Sequence, residues 1–112
     1  MANETLVLPQ TPSTDQLPPE LRETRAAYRF ELDDGRSFML RLVLGRLTVE
    51  EGSAEAEVVL RCRMEDFIRA LNGRLNLLSA FMRGDIHLQG DLESAKRLYR
   101  YLRLARMQEG RP

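Results

Sequence analysis

The sequence predicts an α+β domain whose elements run β-β-β-β-α-α-β-α after a short N-terminal helix. Three observations predict it. From Ala27 to Cys62 apolar side chains recur at every second residue, the period of a strand with one buried and one wet face. From Met64 the spacing switches to i, i+3, i+4 and i+7, the period of a helix with one apolar stripe. Between Gly84 and Gly90 a short alternating run returns before a last helical stretch. A run of strands followed by helices, with one late strand, belongs to the α+β class.

The elements follow in order. Thr11 to Pro19 reads TPSTDQLPP, a stretch that breaks periodicity and buries little, so residues 1–17 are expected to form a flexible arm. Pro18 and Pro19 suit the first turn of a helix over PELRETRAA, about two turns long. Tyr28, Phe30 and Leu32 then alternate with Arg29 and Glu31 in a first strand. Asp33-Asp34-Gly35 is a turn signal. Phe38, Leu40, Leu42 and Leu44 alternate with Met39, Arg41 and Val43 in a second strand. After Gly45-Arg46, Leu47 and Val49 carry a third, and Glu50 to Ser53 turns the chain again. Ala56, Val58, Leu60 and Cys62 line one face of a fourth. The four strands are read as an antiparallel meander.

Met64, Phe67, Ile68 and Leu71 form one helical stripe, with Glu65 and Asp66 at the positive end of the helix dipole. Arg63 is a poor N-cap, whereas Gly73 stands where a left-handed C-terminal cap belongs. Asn76 caps a second short helix, Leu77 to Met82, presenting Leu78 and Phe81, and Gly84 ends it. Ile86 and Leu88 mark a fifth strand over Asp85–Gln89, and Asp91 is a natural N-cap for the last helix. On that helix Leu92, Ala95, Leu98, Tyr99, Leu102 and Ala105 share one side, and Lys96, Arg97, Arg100 and Arg103 much of the other. The domain is expected over 18–107, with a tail over 108–112.

Composition narrows the function. A chain of 112 residues is most simply one domain, and Lys plus Arg equals Asp plus Glu at 17 each, unlike a general nucleic-acid binder. Basic residues are nearly all arginine, which is compatible with a GC-rich bacterial genome. No apolar run reaches the ~18 residues of a membrane span, and the N-terminus does not read as a signal peptide, so a soluble cytoplasmic protein is expected. With one cysteine no internal disulfide forms.

Catalysis has little support. His87, the single histidine, falls on the polar face of a short strand, with no Ser or Cys nucleophile placed beside it. Cys62 falls on an apolar face, where an unreactive thiol is expected. No Gly-rich phosphate loop and no metal-ligand spacing is present, so no catalytic residue, metal or cofactor is expected. The cations of the last helix fit either a solvated face or a helix lying on a membrane surface.

The stretch AEVVLRCRMEDFIRALNGRLNLLSAFMRGDIHLQGDLESAKRL resembles the sterol carrier protein (non-specific lipid-transfer) domain. Three features carry the resemblance: Glu65-Asp66 before Phe67; Leu71-Asn72-Gly73 with Asn76 following; and Ala80-Phe81 leading to Gly84, Ile86, Leu88, Gly90 and Asp91. It runs from about Ala27 to Leu104. The leading helix is shorter than the family's, and Arg63 stands where the family has a small polar cap. The resemblance implies a five-stranded, mostly antiparallel sheet covered on one face by helices. It further implies an apolar cavity between them for a fatty acyl, acyl-CoA, sterol, phospholipid or isoprenoid tail. The candidate lipid contacts are Phe30, Phe38, Leu40, Leu42, Phe67, Leu71, Leu78, Phe81, Leu98 and Leu102. The same side chains serve equally as a solid core. Expected partners are an apolar small molecule, a membrane surface met through the basic face of the last helix, and a partner enzyme for which the domain is a non-catalytic accessory or dimerisation unit.

Overall fold

The structure, a computed structural model, describes residues 17–109, with side chains through residue 107. The arm expected over 1–17 therefore lies, Leu17 apart, outside the described residues, as do the side chains of the 108–112 tail. The element order is α1 (Pro19–Arg22), β1 (Arg25–Leu32), β2 (Ser37–Val43), β3 (Arg46–Glu51), β4 (Val58–Cys62), α2 (Met64–Leu71), α3 (Leu77–Arg83), β5 (His87–Gly90) and α4 (Leu92–Glu109). This is the predicted order. The leading helix is shorter than expected, because the chain is already extended at Arg25.

The five strands form one mixed sheet in the order β3-β2-β1-β4-β5. Strands β1 to β3 make the expected meander, but β4 does not continue it. It returns past β2 to lie parallel to β1, pairing Tyr28 with Val58 and Phe30 with Leu60. Alternation fixes which face of a strand is buried but not which neighbour it takes. The return is made by residues 52–57, which cross the face of the sheet away from the helices. There Arg29 donates to the Ala54 carbonyl at 3.0 Å, and Glu57 exchanges hydrogen bonds with the Ala27 backbone. Met39 points to this outer face yet is only 1% exposed, outside the main apolar cluster.

Leu44 is not a strand residue. It and Gly45 are the two residues of the β2–β3 turn, with φ of 52° and 87°, the left-handed pair that matches strand twist in a two-residue hairpin. The helix ends follow the sequence. The Asn76 side chain accepts from the Leu78 and Ser79 N–H groups, and Asp91 accepts from the Glu93 N–H and the Ser94 hydroxyl. Arg63 gives no side-chain cap. Gly73 (φ 69°) closes α2 in a double turn: its N–H donates to Ala70, and that of Arg74 to Arg69.

Two buried tyrosines tie α4 to the sheet. The Tyr28 hydroxyl donates to the Ser94 carbonyl at 2.7 Å and the Tyr101 hydroxyl to the Gly45 carbonyl at 2.9 Å. The buried stripe of α4 is thus Ser94, Ala95, Leu98, Tyr101, Leu102 and Ala105. Tyr99 is only half-buried and Leu92 is exposed, so the stripe is rotated from the expected one toward Tyr101.

Candidate functional site

The space that would hold a lipid lies between the inner sheet face and the helices. Phe30 and Phe38 are cross-strand partners on β1 and β2, and Phe67 of α2 stands against both. Its ring lies 4.9 Å from that of Phe30 and 5.0 Å from that of Phe38, distances at which aromatic pairs attract. Leu40 and Leu42 continue the inner face of β2, Leu71 continues α2, and Leu98 and Leu102 descend from α4. All eight are buried in one continuous apolar cluster. They are brought together as expected, and they pack against one another.

The remaining two, Leu78 and Phe81, are placed differently. On α3 it is Leu77 and Ala80 that are fully buried; Leu78 is half-buried, and Phe81 is 38% exposed. The Leu77-Leu78 pair admits two helix phases. The extended backbone of the Asn76 cap fixes where the helix starts and turns Leu77 inward. Phe81 instead overhangs a cleft of about 270 Å³ beside β5, lined also by Val59, Leu88 and the outer-face residues Arg61 and His87. With Met82, which is 83% exposed, it gives α3 an apolar outer side.

A second cleft, of about 430 Å³, lies where the ends of β1 and β4 meet the start of β5. Its floor is Leu32 and Cys62, both members of the buried cluster, and its rim carries Asp33, Arg63, Asp85 and His87. Several of its charges are paired, Arg61 with Glu31 at 2.8 Å within the cleft, and Arg63 and Asp85 with neighbours beyond it, Glu65 at 3.1 Å and Arg83 at 2.9 Å. The hydrogen bond from Arg61, then that from Arg29, holds the Glu31 carboxyl below its usual range. Burial, helped by Asp66 and Asp33, pushes the Cys62 thiol up to about 12, so at neutral pH it is not a thiolate. His87 lies on the exposed outer face opposite Arg61. Among the described residues no group of His, Cys, Asp and Glu side chains could hold a metal ion.

The cationic side of α4 is partly engaged within the molecule. Lys96 pairs with Glu93 at 3.2 Å, Arg100 with Glu20 of α1, and Arg103 donates to the Tyr99 hydroxyl. Arg100 and Arg103 also flank a cleft of about 320 Å³ floored by Pro18, Leu104 and Met107. No helix among the described residues is long and apolar enough to cross a membrane.

Comparison with known proteins matches this arrangement. Hydroxysteroid dehydrogenase-like protein 2 of Rattus norvegicus is 35% identical over 82 residues, which are 70% of this chain but 16% of that protein. The chain thus spans about a sixth of that curated relative. Among solved structures, the sec-alkylsulfatase Pisa1 from Pseudomonas sp. superposes with a TM-score of 0.63 at 21% identity, over 80% of this chain and 14% of that one. A crystal structure of sterol carrier protein 2 superposes with a TM-score of 0.52 at 25% identity, over 76% of this chain and 78% of that one. The family description SCP-2 sterol transfer family matches residues 6–103. With that span matched and the sheet order and helix placement in agreement, the chain belongs to the SCP-2 sterol transfer family.

Proposed function

We propose that this domain binds the apolar tail of a lipid, a fatty acyl, acyl-CoA, sterol or isoprenoid chain, between its sheet and its helices. One observation carries the reading: a domain of the SCP-2 sterol transfer family keeps an unbroken apolar layer between its inner sheet face and its helices, with no unpartnered buried side-chain polar atom among the described residues. An unpaired polar group there would cost a tail about 1–3 kcal/mol. Because the layer is filled by Phe30, Phe38 and Phe67, a tail enters by displacing side chains. The element that yields is α3, whose inward anchors are Leu77 and Ala80 alone. Burying a dozen methylenes is favourable by about 10 kcal/mol before ordering costs, enough to offset such an opening. Contact of the α4 basic face with an anionic lipid surface is the delivery step this reading expects.

The filled core favours a second reading, an accessory domain serving a partner enzyme. That arrangement fits a chain whose relatives carry the matched segment as a small part of a longer protein. One experiment separates the two. Under the lipid reading, native mass spectrometry of gently purified protein shows lipid-sized added mass, and a fluorescent fatty acid binds at tens of micromolar. Leu40→Trp or Leu102→Trp then weakens that binding while the fold survives. No bound mass and no probe binding, with the tryptophan variants only losing about 1–3 kcal/mol by overpacking, leaves the accessory reading.

A further inference from the structure

We propose that the edge of β3, which pairs with no further strand among the described residues, is a homodimerisation edge, joining two copies of the chain into one continuous sheet about a two-fold axis at Thr48. This inference is independent of the lipid reading. β3 ends the sheet, is six residues long, and carries neither proline nor bulge along its register with β2. Such an edge is a template for another strand unless something blunts it. The opposite edge, β5, is four residues long, and Gly90 there is pressed against the Glu57 carbonyl.

The hydrogen-bond pattern says which groups the β3 edge offers. The Gly52 N–H donates to the Ser37 carbonyl at 2.9 Å, which makes Ser37 and Gly52 a bonded pair. Bonded and non-bonded pairs alternate along an antiparallel ladder, so Arg46, Thr48 and Glu50 also direct their backbone groups at β2. Leu47, Val49 and Glu51 direct theirs outward. An antiparallel copy must therefore place outward-bonding residues opposite one another. Pairing about Thr48 does this: Leu47 meets Val49 of the second copy, and each such pair exchanges two hydrogen bonds.

The side chains select this register. Pairing about Thr48 sets Arg46 opposite Glu50 of the second copy on the outer face, twice by symmetry. Arg46 is exposed and forms no ion pair among the described residues, and Glu50, held by Arg41 at 2.8 Å, is exposed as well. On the inner face Leu47 and Val49, only half-buried at the margin of the core, come together across the junction. The next permitted register, about Val49, sets Leu47 against Glu51 and Arg46 against Gly52, losing both complementarities. Opposite charges and apolar pairs directly across a strand junction each favour pairing.

The test is the mass of the full chain by size exclusion with light scattering across the micromolar to millimolar range. The expected result is a concentration-dependent rise from 12.9 kDa to twice that value. Val49→Pro removes an N–H that points away from β2, so it returns the mass to 12.9 kDa with unchanged circular dichroism. Arg46→Glu weakens association about tenfold, and adding Glu50→Arg restores it. Thr48→Cys, at the axis, is oxidised by added glutathione disulfide, which is reduced to two thiols, to a covalent dimer, since facing residues of a non-bonded pair lie at disulfide distance; the buried Cys62 does not compete. A protein that stays at 12.9 kDa throughout overturns the proposal, as does a dimer that Val49→Pro leaves intact. So does a chain that dimerises only after residues 1–16 are removed, which would show that this segment itself occupies the edge.

Discussion

Gly73 and Gly84 close consecutive helices with nearly the same backbone, φ 69° and 83°, but in different surroundings. A Cβ at Gly73 would lie 2.7 Å from the Leu102 carbonyl oxygen and 2.9 Å from the Arg106 Cβ, both on α4. A Cβ at Gly84 would meet nothing within 4 Å. Replacing either by alanine imposes the left-handed conformation on an L-residue, at about 1–2 kcal/mol. At Gly73 the end of α2 must also move off α4, and the contact to be relieved is backbone, which has no rotamer to give. Overpacking of that kind adds about 1–3 kcal/mol. At about 4–8 °C per kcal/mol for a domain of this size, Gly84→Ala should melt roughly 4–16 °C below wild type and Gly73→Ala, with the second cost added, roughly 8–40 °C below. Gly73→Val, branched at the atom that collides, should fall further. Thermal unfolding followed by circular dichroism reads all three. Equal shifts for the two alanine variants would refute the reasoning, because the close approach of α2 to α4 would then cost nothing.

Two further outcomes follow from buried polar groups. Tyr101→Phe leaves the Gly45 carbonyl of the β2–β3 turn without this donor and should cost about 1–3 kcal/mol by urea denaturation, whereas Tyr28→Phe removes a second bond from the Ser94 carbonyl, which stays within the ladder of α4, and should cost about 0.5–1.5 kcal/mol; a loss at Tyr101 alone would mean that α4 is seated from its C-terminal half. Because the thiol of Cys62 is pushed up to about 12, the folded state holds it protonated where an unfolded chain would release the proton. This favours neither state below the ordinary thiol range, and stability falls as pH rises from that range toward 12. Labelling by a disulfide reagent at neutral pH should therefore proceed at the rate of unfolding, and rapid labelling of folded protein would contradict the burial seen here.

Most of the architecture was legible because it rests on local rules. The alternation of Tyr28, Phe30 and Leu32 against Arg29 and Glu31 needs only a period of two, the caps at Asn76 and Asp91 need only a side-chain oxygen and the next N–H groups, and those at Gly73 and Gly84 only a left-handed backbone. What was not legible depends on contacts between distant segments. Residues 52–57 send β4 back to β1 rather than onward beside β3, and no periodicity in Val58–Cys62 distinguishes those neighbours. Leu44 continues the alternation of β2 perfectly and still lies in a turn. Gly45 behind it, and the Tyr101 hydroxyl bonded to the Gly45 carbonyl, hold the hairpin one residue shorter.

The candidate site shows the same division. Eight of its ten residues were placed by strand and helix period, and they do meet. Leu78 and Phe81 lie one helical step off the buried face of α3, because a seven-residue helix beginning Leu-Leu has two faces that period and propensity do not choose between. Tyr101 was missed although it stands at i+3 from Leu98, a position that a stripe centred on Leu98 includes. A stripe through Tyr99 fits the same helical period, and what selects Tyr101, the Gly45 carbonyl that its hydroxyl reaches, is 56 residues away. The same long-range bond explains why the α4 stripe is rotated as it is. An apolar stripe can roll on a flat sheet by one residue at little cost, whereas two hydroxyls that must each reach a carbonyl, Tyr28 to Ser94 and Tyr101 to Gly45, admit one orientation. No such bond fastens α3 to the sheet among the hydrogen bonds of the described residues, so the element held by packing alone is also the one beside the half-exposed Phe81. If the sheet and helices part anywhere to admit a tail, the asymmetry between a bonded α4 and an unbonded α3 decides where.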